Sequence, residues 1–305
     1  MIRIISPTIK KAPAGRCIYC GATEGLSDEH ILSFGLAGDS LILPSASCSG
    51  CQQATSKVET ICLRHMWWPF RTQAGVPSRT AAPENFSLKR MRVNEYDAER
   101  DEIVDYTQLS MEDVPVKQYP IFYQTFEFPE PGVTAGRLAS RDLSYSMWCK
   151  LEEQNFRARF GDQEGFRISP GRPEAFCRLL AKTAHAFAVA EFGDIFQPSL
   201  TNYIRGAPLD RLQWIGCPEV RAGSSALHDI NAQHISIGDI DYLSIDLRLF
   251  GCIDSPVHRV IVGRLWKLFS SSLFDRLGFR VDFEGELPLR NAEVFRGRAE
   301  GWESV

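Results

Sequence analysis

Hydrophobic spacing marks one helix without ambiguity. Phe176, Leu179, Leu180, Thr183 and Phe187 fall on one stripe between Pro173 and Gly193, which predicts a helix over 173–192, and the alanines on its other faces predict that it is largely buried. A period of two replaces this further on. Leu243, Ile245, Leu247 and Leu249 alternate with polar residues in 242–250, a short Asp254-Ser255-Pro256 turn follows, and His258 to Gly263 is a second strand. The pair predicts a half-buried antiparallel hairpin. Upstream, residues 121–128 have the aromatic enrichment of a strand and are stopped by Pro129-Glu130-Pro131-Gly132.

The N-terminal pattern is finer-grained. Pro7 and Pro13 keep residues 1–16 extended. Leu26 to Leu32 and Leu41 to Pro44 predict two short strands around a loop bearing Gly35 and Gly38. Ala54, Val58, Ile61 and Cys62 then recur at helical spacing over Gln52 to His65, so this helix packs one face on the hairpin and carries Ser56 and Glu59 on an adjoining face. Pro69, Gly75, Pro77 and Pro83 make 67–85 a linker, and 94–118 is acidic and only weakly periodic. The resulting expectation is an α+β chain: a small zinc domain over 1–80, a connector with strand elements over 81–140, and a larger α+β domain with an antiparallel sheet over 141–305. Internal repeats, a glycine-rich phosphate loop and a serine-nucleophile elbow are all missing from the sequence.

Composition changes the picture mainly through cysteine. With 305 residues, 44% of them hydrophobic, and apolar runs far shorter than the ~20 a spanning helix requires, a soluble protein with no membrane partner is expected. The N-terminus has no apolar run of about 7–15 residues after its first charges, so a cytoplasmic, reducing setting is expected and the nine cysteines are read as thiols. Cys62, Cys149, Cys177, Cys217 and Cys252 are scattered among apolar residues as small core hydrophobes. Cys17/Cys20 and Cys48/Cys51 are two C-x2-C pairs, each able to turn two sulfurs toward one tetrahedral ion, and predict a structural Zn2+. Four coincidental buried cysteines, or a redox pair, are the alternatives, and both leave the doublet unexplained. The 27 residues between the pairs exceed the ~15–20 of a simple ribbon, so something is built inside the loop.

The net charge of −4 hides an asymmetry: residues 1–93 carry 11 Lys+Arg against 6 Asp+Glu, a balance of +5, and residues 94–305 carry 23 against 32, a balance of −9. Phosphate attraction would have to come from local clusters such as Lys10/Lys11/Arg16 and Lys89/Arg90/Arg92. That supports a nucleic-acid partner only weakly.

Inside the cysteine bracket lies Asp28-Glu29-His30, followed by the helix with its acid. Over about residues 14–66 this resembles the His-Asn-His (HNH) endonuclease family, in its zinc-stapled treble-clef subset of standalone bacterial type. The resemblance implies a ββα-metal unit in which His30 is the general base and Glu29 a ligand of a catalytic Mg2+ or Mn2+. The chemistry agrees, because a carboxylate suits a hard cation and a neutral imidazole accepts a proton near pH 7. Two positions depart from the family. Cys51 is followed by Gln52 where many members have Asn, so the amide orienting the base is absent or supplied by Gln52. The closing His is replaced by Glu59, which in relatives with a Ser-x-x-Glu helix like Ser56-Lys57-Val58-Glu59 would be the second metal ligand.

Context matters here, since a bare Glu-His pair on an edge strand is more often solvent-facing. Asp28 reads as a supporting acceptor or a turn acid, His185 as a satisfied, partly buried histidine, His258 as part of the hairpin, and Trp67-Trp68 as cover for a domain junction. The function expected is metal-dependent hydrolysis of DNA phosphodiesters, with RNA not excluded as substrate and self-association through the C-terminal part. The competing expectation is a non-catalytic zinc module that binds nucleic acid or protein.

Overall fold

Gly25, at φ +61°, releases the chain from the first cysteine pair into a strand, and the run to Thr60 then forms two antiparallel strands and a helix. In chain order the elements are β1 Arg3–Ile4, β2 Ile9–Lys10, β3 Leu26–His30, α1 Phe34–Ala37, β4 Leu41–Cys48 and α2 Ser49–Thr60, the last running on as a π-turn over Ile61–Met66. This is a computed structural model, and it describes residues 3–4, 7–67, 71, 90–97, 100, 102–110, 122–125, 145–148, 173–208, 214–217, 226–251, 255–266, 278–281 and 283–284. The 67–85 linker apart from Trp67 and Arg71, the boundaries placed at 80 and 140, Trp68, Cys149 and Cys252 lie outside them.

Two antiparallel strand pairs occupy the middle of the chain, β5 Arg90–Asp97 with β6 Glu102–Ser110, and β7 Phe122–Thr125 with β8 Tyr145–Trp148. The first falls on the acidic stretch whose period was not legible. Next come α3 Pro173–Phe192, β9 Phe196–Pro198, α4 Thr201–Ile204, β10 Ile215–Gly216, β11 His228–Ile237, β12 Ile240–Leu249, β13 His258–Leu265, β14 Gly278–Val281 and β15 Phe283–Glu284. The bounds of α3 coincide with those expected from its apolar stripe.

Among the described residues the larger sheet runs β10-β13-β12-β11-β14, with β9 on the outer side of β13 and every pair antiparallel. The expected β12–β13 pairing is present, but β12 is not half-buried: every residue from Tyr242 to Leu249 is buried. Alternation survives as chemistry instead of exposure. Leu243, Ile245 and Leu247 belong to the hydrophobic core, while Asp246 on the other face takes two bonds from Arg259 (2.7 and 2.9 Å) and one from Gln233, and Arg248 donates to Ser255 O. Strand β11 was not anticipated, and it meets β12 through a two-residue turn with Gly238 at φ +56°. Gly263 has no room for a side chain, because β9 brings the Gln197 carbonyl against it.

Helix α3 packs against α2 on one side and against β12 and β13 on another. The buried apolar residues of 17–67 and of 175–281 consequently form one cluster. Trp67 is fully buried at this seam, edge-on to Phe176 at 5.9 Å and Phe250 at 5.8 Å, as the junction reading of that tryptophan requires. Among the described residues no helix is long and apolar enough to cross a membrane.

Candidate metal centre and acidic cluster

The first cysteine pair sits on a tight turn. Gly21, at φ +79°, donates to Cys17 O at 2.8 Å while Cys17 N donates to Ala22 O at 2.7 Å, and this winds Cys20 back beside Cys17. The second pair sits at a helix start, with Cys48 as N-cap and Cys51 in the first turn of α2. The helix thus begins at Ser49, earlier than the Gln52 expected, and presents both sulfurs from one turn. All four Sγ atoms lie within 4.8 Å of one another, and Cys20 and Cys48 are 3.6 Å apart. A tetrahedral Zn2+ with Zn–S bonds of ~2.3 Å separates its sulfurs by about 3.8 Å, so the cluster fits that ion. The described cysteines form no disulfide. Burial pushes the Cys17 and Cys51 thiols up, whereas the Cys51 amide, outweighing partial burial, draws Cys48 down to about 7 and makes it the readiest thiolate.

Ten residues of loop and short helix, 31–40, separate β3 from β4, whose Ile42 and Leu43 pair with His30 and Glu29. A bulge between Ser27 and Glu29 turns Asp28 outward, where its Oδ1 accepts the Ser45 amide at 3.3 Å, and turns Glu29 inward to 5% exposure. Glu29 there meets Glu59 of α2 and a residue the sequence reading passed over, Lys182 of α3. The Lys182 ammonium is 2.6 Å from Glu29 Oε1 and 3.0 Å from Glu59 Oε1, and its remaining donor goes to His30 O. All three N–H groups are used, which is what a buried ammonium requires. Burial alone would lower the lysine, but the two carboxylates outweigh it and hold its pKa above the ordinary value. Glu59 is likewise held below its ordinary range, because Lys182, the Ser33 hydroxyl at 2.8 Å and His30 together outweigh its burial. The hydroxyl on Glu59 is therefore that of Ser33; Ser56, its expected neighbour, bonds Gln53 O. Tyr19 closes the floor, its phenol pushed well above the usual range by burial and by Glu29 and Glu59.

The strand alternation that turns Glu29 in turns His30 toward the surface. Its ring is part-exposed, lies edge-on to Phe34 at 6.2 Å, and has Nε2 2.8 Å from Asp39 Oδ1. With the Nε2 proton directed to Asp39, the basic lone pair of neutral His30 is on Nδ1. Asp39 follows Gly38, whose φ of +61° ends α1 and swings the chain back over the ring. No sequence signal distinguished this aspartate. Gln52 is exposed and makes no bond to His30 among the described residues, so the group orienting the ring is an acid from the loop. Lys182 did leave a signal: a lysine among alanines on a helix already read as buried needs a partner.

The structure thus brings Glu29 and Glu59 to one point, occupied by an ammonium that also bonds the His30 carbonyl, and leaves the His30 ring on the surface side of β3. Among the described residues the four cysteines are the one metal-sized group of three or more Cys, His, Asp or Glu. The basic lead-in is largely matched by acids at the end of α3, with Lys11 on Glu191 at 2.6 Å and Arg16 on Asp194. Comparisons with protein-family models, with curated proteins and with solved structures returned no match.

Proposed function

We propose that this chain is a metal-dependent endonuclease of the HNH type, with a treble-clef zinc unit, acting on DNA. The observation that carries the reading is the meeting of the Glu29 and Glu59 carboxylates at one cation-binding point that also includes the backbone carbonyl of His30, whose imidazole is held by Asp39. Two carboxylate oxygens that already converge on an ammonium are suitable donors for a hard divalent ion. Bound there, Mg2+ or Mn2+ would supply charge to a phosphate oxygen and to the leaving 3′-oxygen. The protein's own groups do the rest. His30 Nδ1 accepts the proton of the attacking water, Asp39 holds the ring and stabilises the imidazolium that forms, and Ser33 fixes Glu59. A 5′-phosphate and a 3′-hydroxyl are the products this reading entails.

Supercoiled plasmid tests it. In Mg2+ or Mn2+ the wild-type protein nicks, and His30→Ala loses about 100-fold or more of that rate with zinc content and circular dichroism unchanged. Asp39→Asn is expected to cost about 10-fold, the size typical of a group acting through a catalytic neighbour. A wild-type protein that cuts neither DNA nor RNA with either metal would falsify the reading. One observation favours the second reading, a non-catalytic zinc module: Lys182 satisfies both acids, as a purely structural ion network would.

A further inference from the structure

Glu29 and Glu59 carry two negative charges and hold one positive one. Lys182 Nζ stands 2.6 and 3.0 Å from their Oε1 atoms, and a divalent ion bound by the same two oxygens at about 2.0–2.6 Å would stand in almost the same place. Two cations cannot share it. Nor can the ammonium simply turn aside within the pocket, because its side chain is 2% exposed and its third donor is on His30 O.

We propose that Lys182 competes with divalent metal for the Glu29–Glu59 pair, so that this lysine sets the cation affinity of the site. The inference rests on the nuclease reading only in taking these two acids as the metal ligands. Metal entry then requires the lysine side chain to withdraw from three partners, and the bond from Lys182 to His30 O is lost in the same event. Cation binding and the backbone of the proposed base are thereby coupled through a residue 152 positions away from His30. The C-terminal part of the chain acquires a defined role, since α3 carries the competitor into the N-terminal site.

The test is Mn2+ binding followed by electron paramagnetic resonance, on the full chain with zinc in the cysteine cluster. Lys182→Met keeps an unbranched apolar stem but removes the charge, leaving two buried acids without a counter-ion. It should bind Mn2+ at least about 10-fold more tightly than wild type, and Mn2+ should raise its Tm more than that of wild type. Lys182→Arg, which keeps a cation, should stay at the wild-type affinity. Equal affinity in wild type and Lys182→Met overturns the competition while leaving the metal site standing. No Mn2+ binding in either overturns the metal site itself and favours the zinc-module reading. Should Lys182→Met fail to fold, the wild-type protein still decides: the ammonium 15N resonance of Lys182 should move as Mg2+ is titrated, and a resonance unmoved at tens of millimolar Mg2+ overturns the proposal.

Discussion

Stripping the metal from the four-cysteine cluster, or replacing Cys51 with serine, is expected to unfold the N-terminal unit and loosen the core it shares with α3. Residues 14–66 form a unit too small to bury a sufficient core alone, and zinc binding to comparable units contributes about 10–16 kcal/mol at neutral pH. Three local features depend on the sulfurs staying together: the turn at Gly21, the start of α2 at Cys48, and the position of Ile18, whose carbonyl is bonded by His185. Thermal unfolding followed by circular dichroism should show a Tm lower by more than about 10 °C in the metal-free protein, with zinc content measured in parallel. The nicking we propose should disappear with it, although the proposed catalytic residues are intact. The sign of the pH dependence follows from the ligands. Thiolates bind the ion, so protons compete with it for the four sulfurs and acidification weakens zinc. A zinc-free protein with unchanged Tm rules out the clamp.

Acid should weaken the fold through a second, independent route. His185 and His228 are both fully buried, and burial, outweighing their bonds to backbone carbonyls, lowers each to about 4. Their Nε2 atoms lie 2.8 Å from Ile18 O and 3.2 Å from Leu36 O, and the Phe250 amide donates to His228 Nδ1. Each histidine is therefore neutral in the fold and joins the C-terminal elements to the N-terminal unit. The unfolded chain takes up protons near the ordinary value of about 6.5, well before the folded one does. Stability is accordingly full above pH 6.5 and is lost as pH falls from 6.5 toward 4, by on the order of 2 kcal/mol per histidine at pH 5. Urea unfolding at pH 7 and pH 5 measures the loss. The double variant His185→Gln/His228→Gln keeps an N–H for each carbonyl and should flatten this dependence, which separates it from zinc release. A wild-type stability that is level between the two pH values contradicts the assignment.

The two cysteine pairs were legible because metal ligation imposes spacing: a C-x2-C turn is a local event, and its meaning survives without the rest of the chain. Helix α3 was legible to the residue for a similar reason, since Pro173, the apolar stripe and Gly193 all act within one or two turns. The hairpin around the Gly35 and Gly38 loop was legible in outline. Strand β11 was not, because His228 to Ile237 mixes polar residues on both faces and takes its conformation from β12 and β14 on either side. Exposure of β12 was misjudged on the same ground: alternation reports two chemically different faces, and whether the polar one meets water depends on what covers it.

At the candidate site the division is sharper. The sequence by itself determined that four thiols bracket a Glu-His strand and that an acid-bearing helix follows, since those relations are carried by neighbours in the chain. Only the tertiary structure decided that Ser33 and not Ser56 holds Glu59, that Asp39 and not Gln52 faces His30, and that Lys182 stands between the two acids. Local spacing is enforced by covalent geometry and can be read along the chain. The partner of a buried charge is chosen by which elements the hydrophobic core forces into contact, and that is decided by packing α3 against α2 across more than a hundred residues.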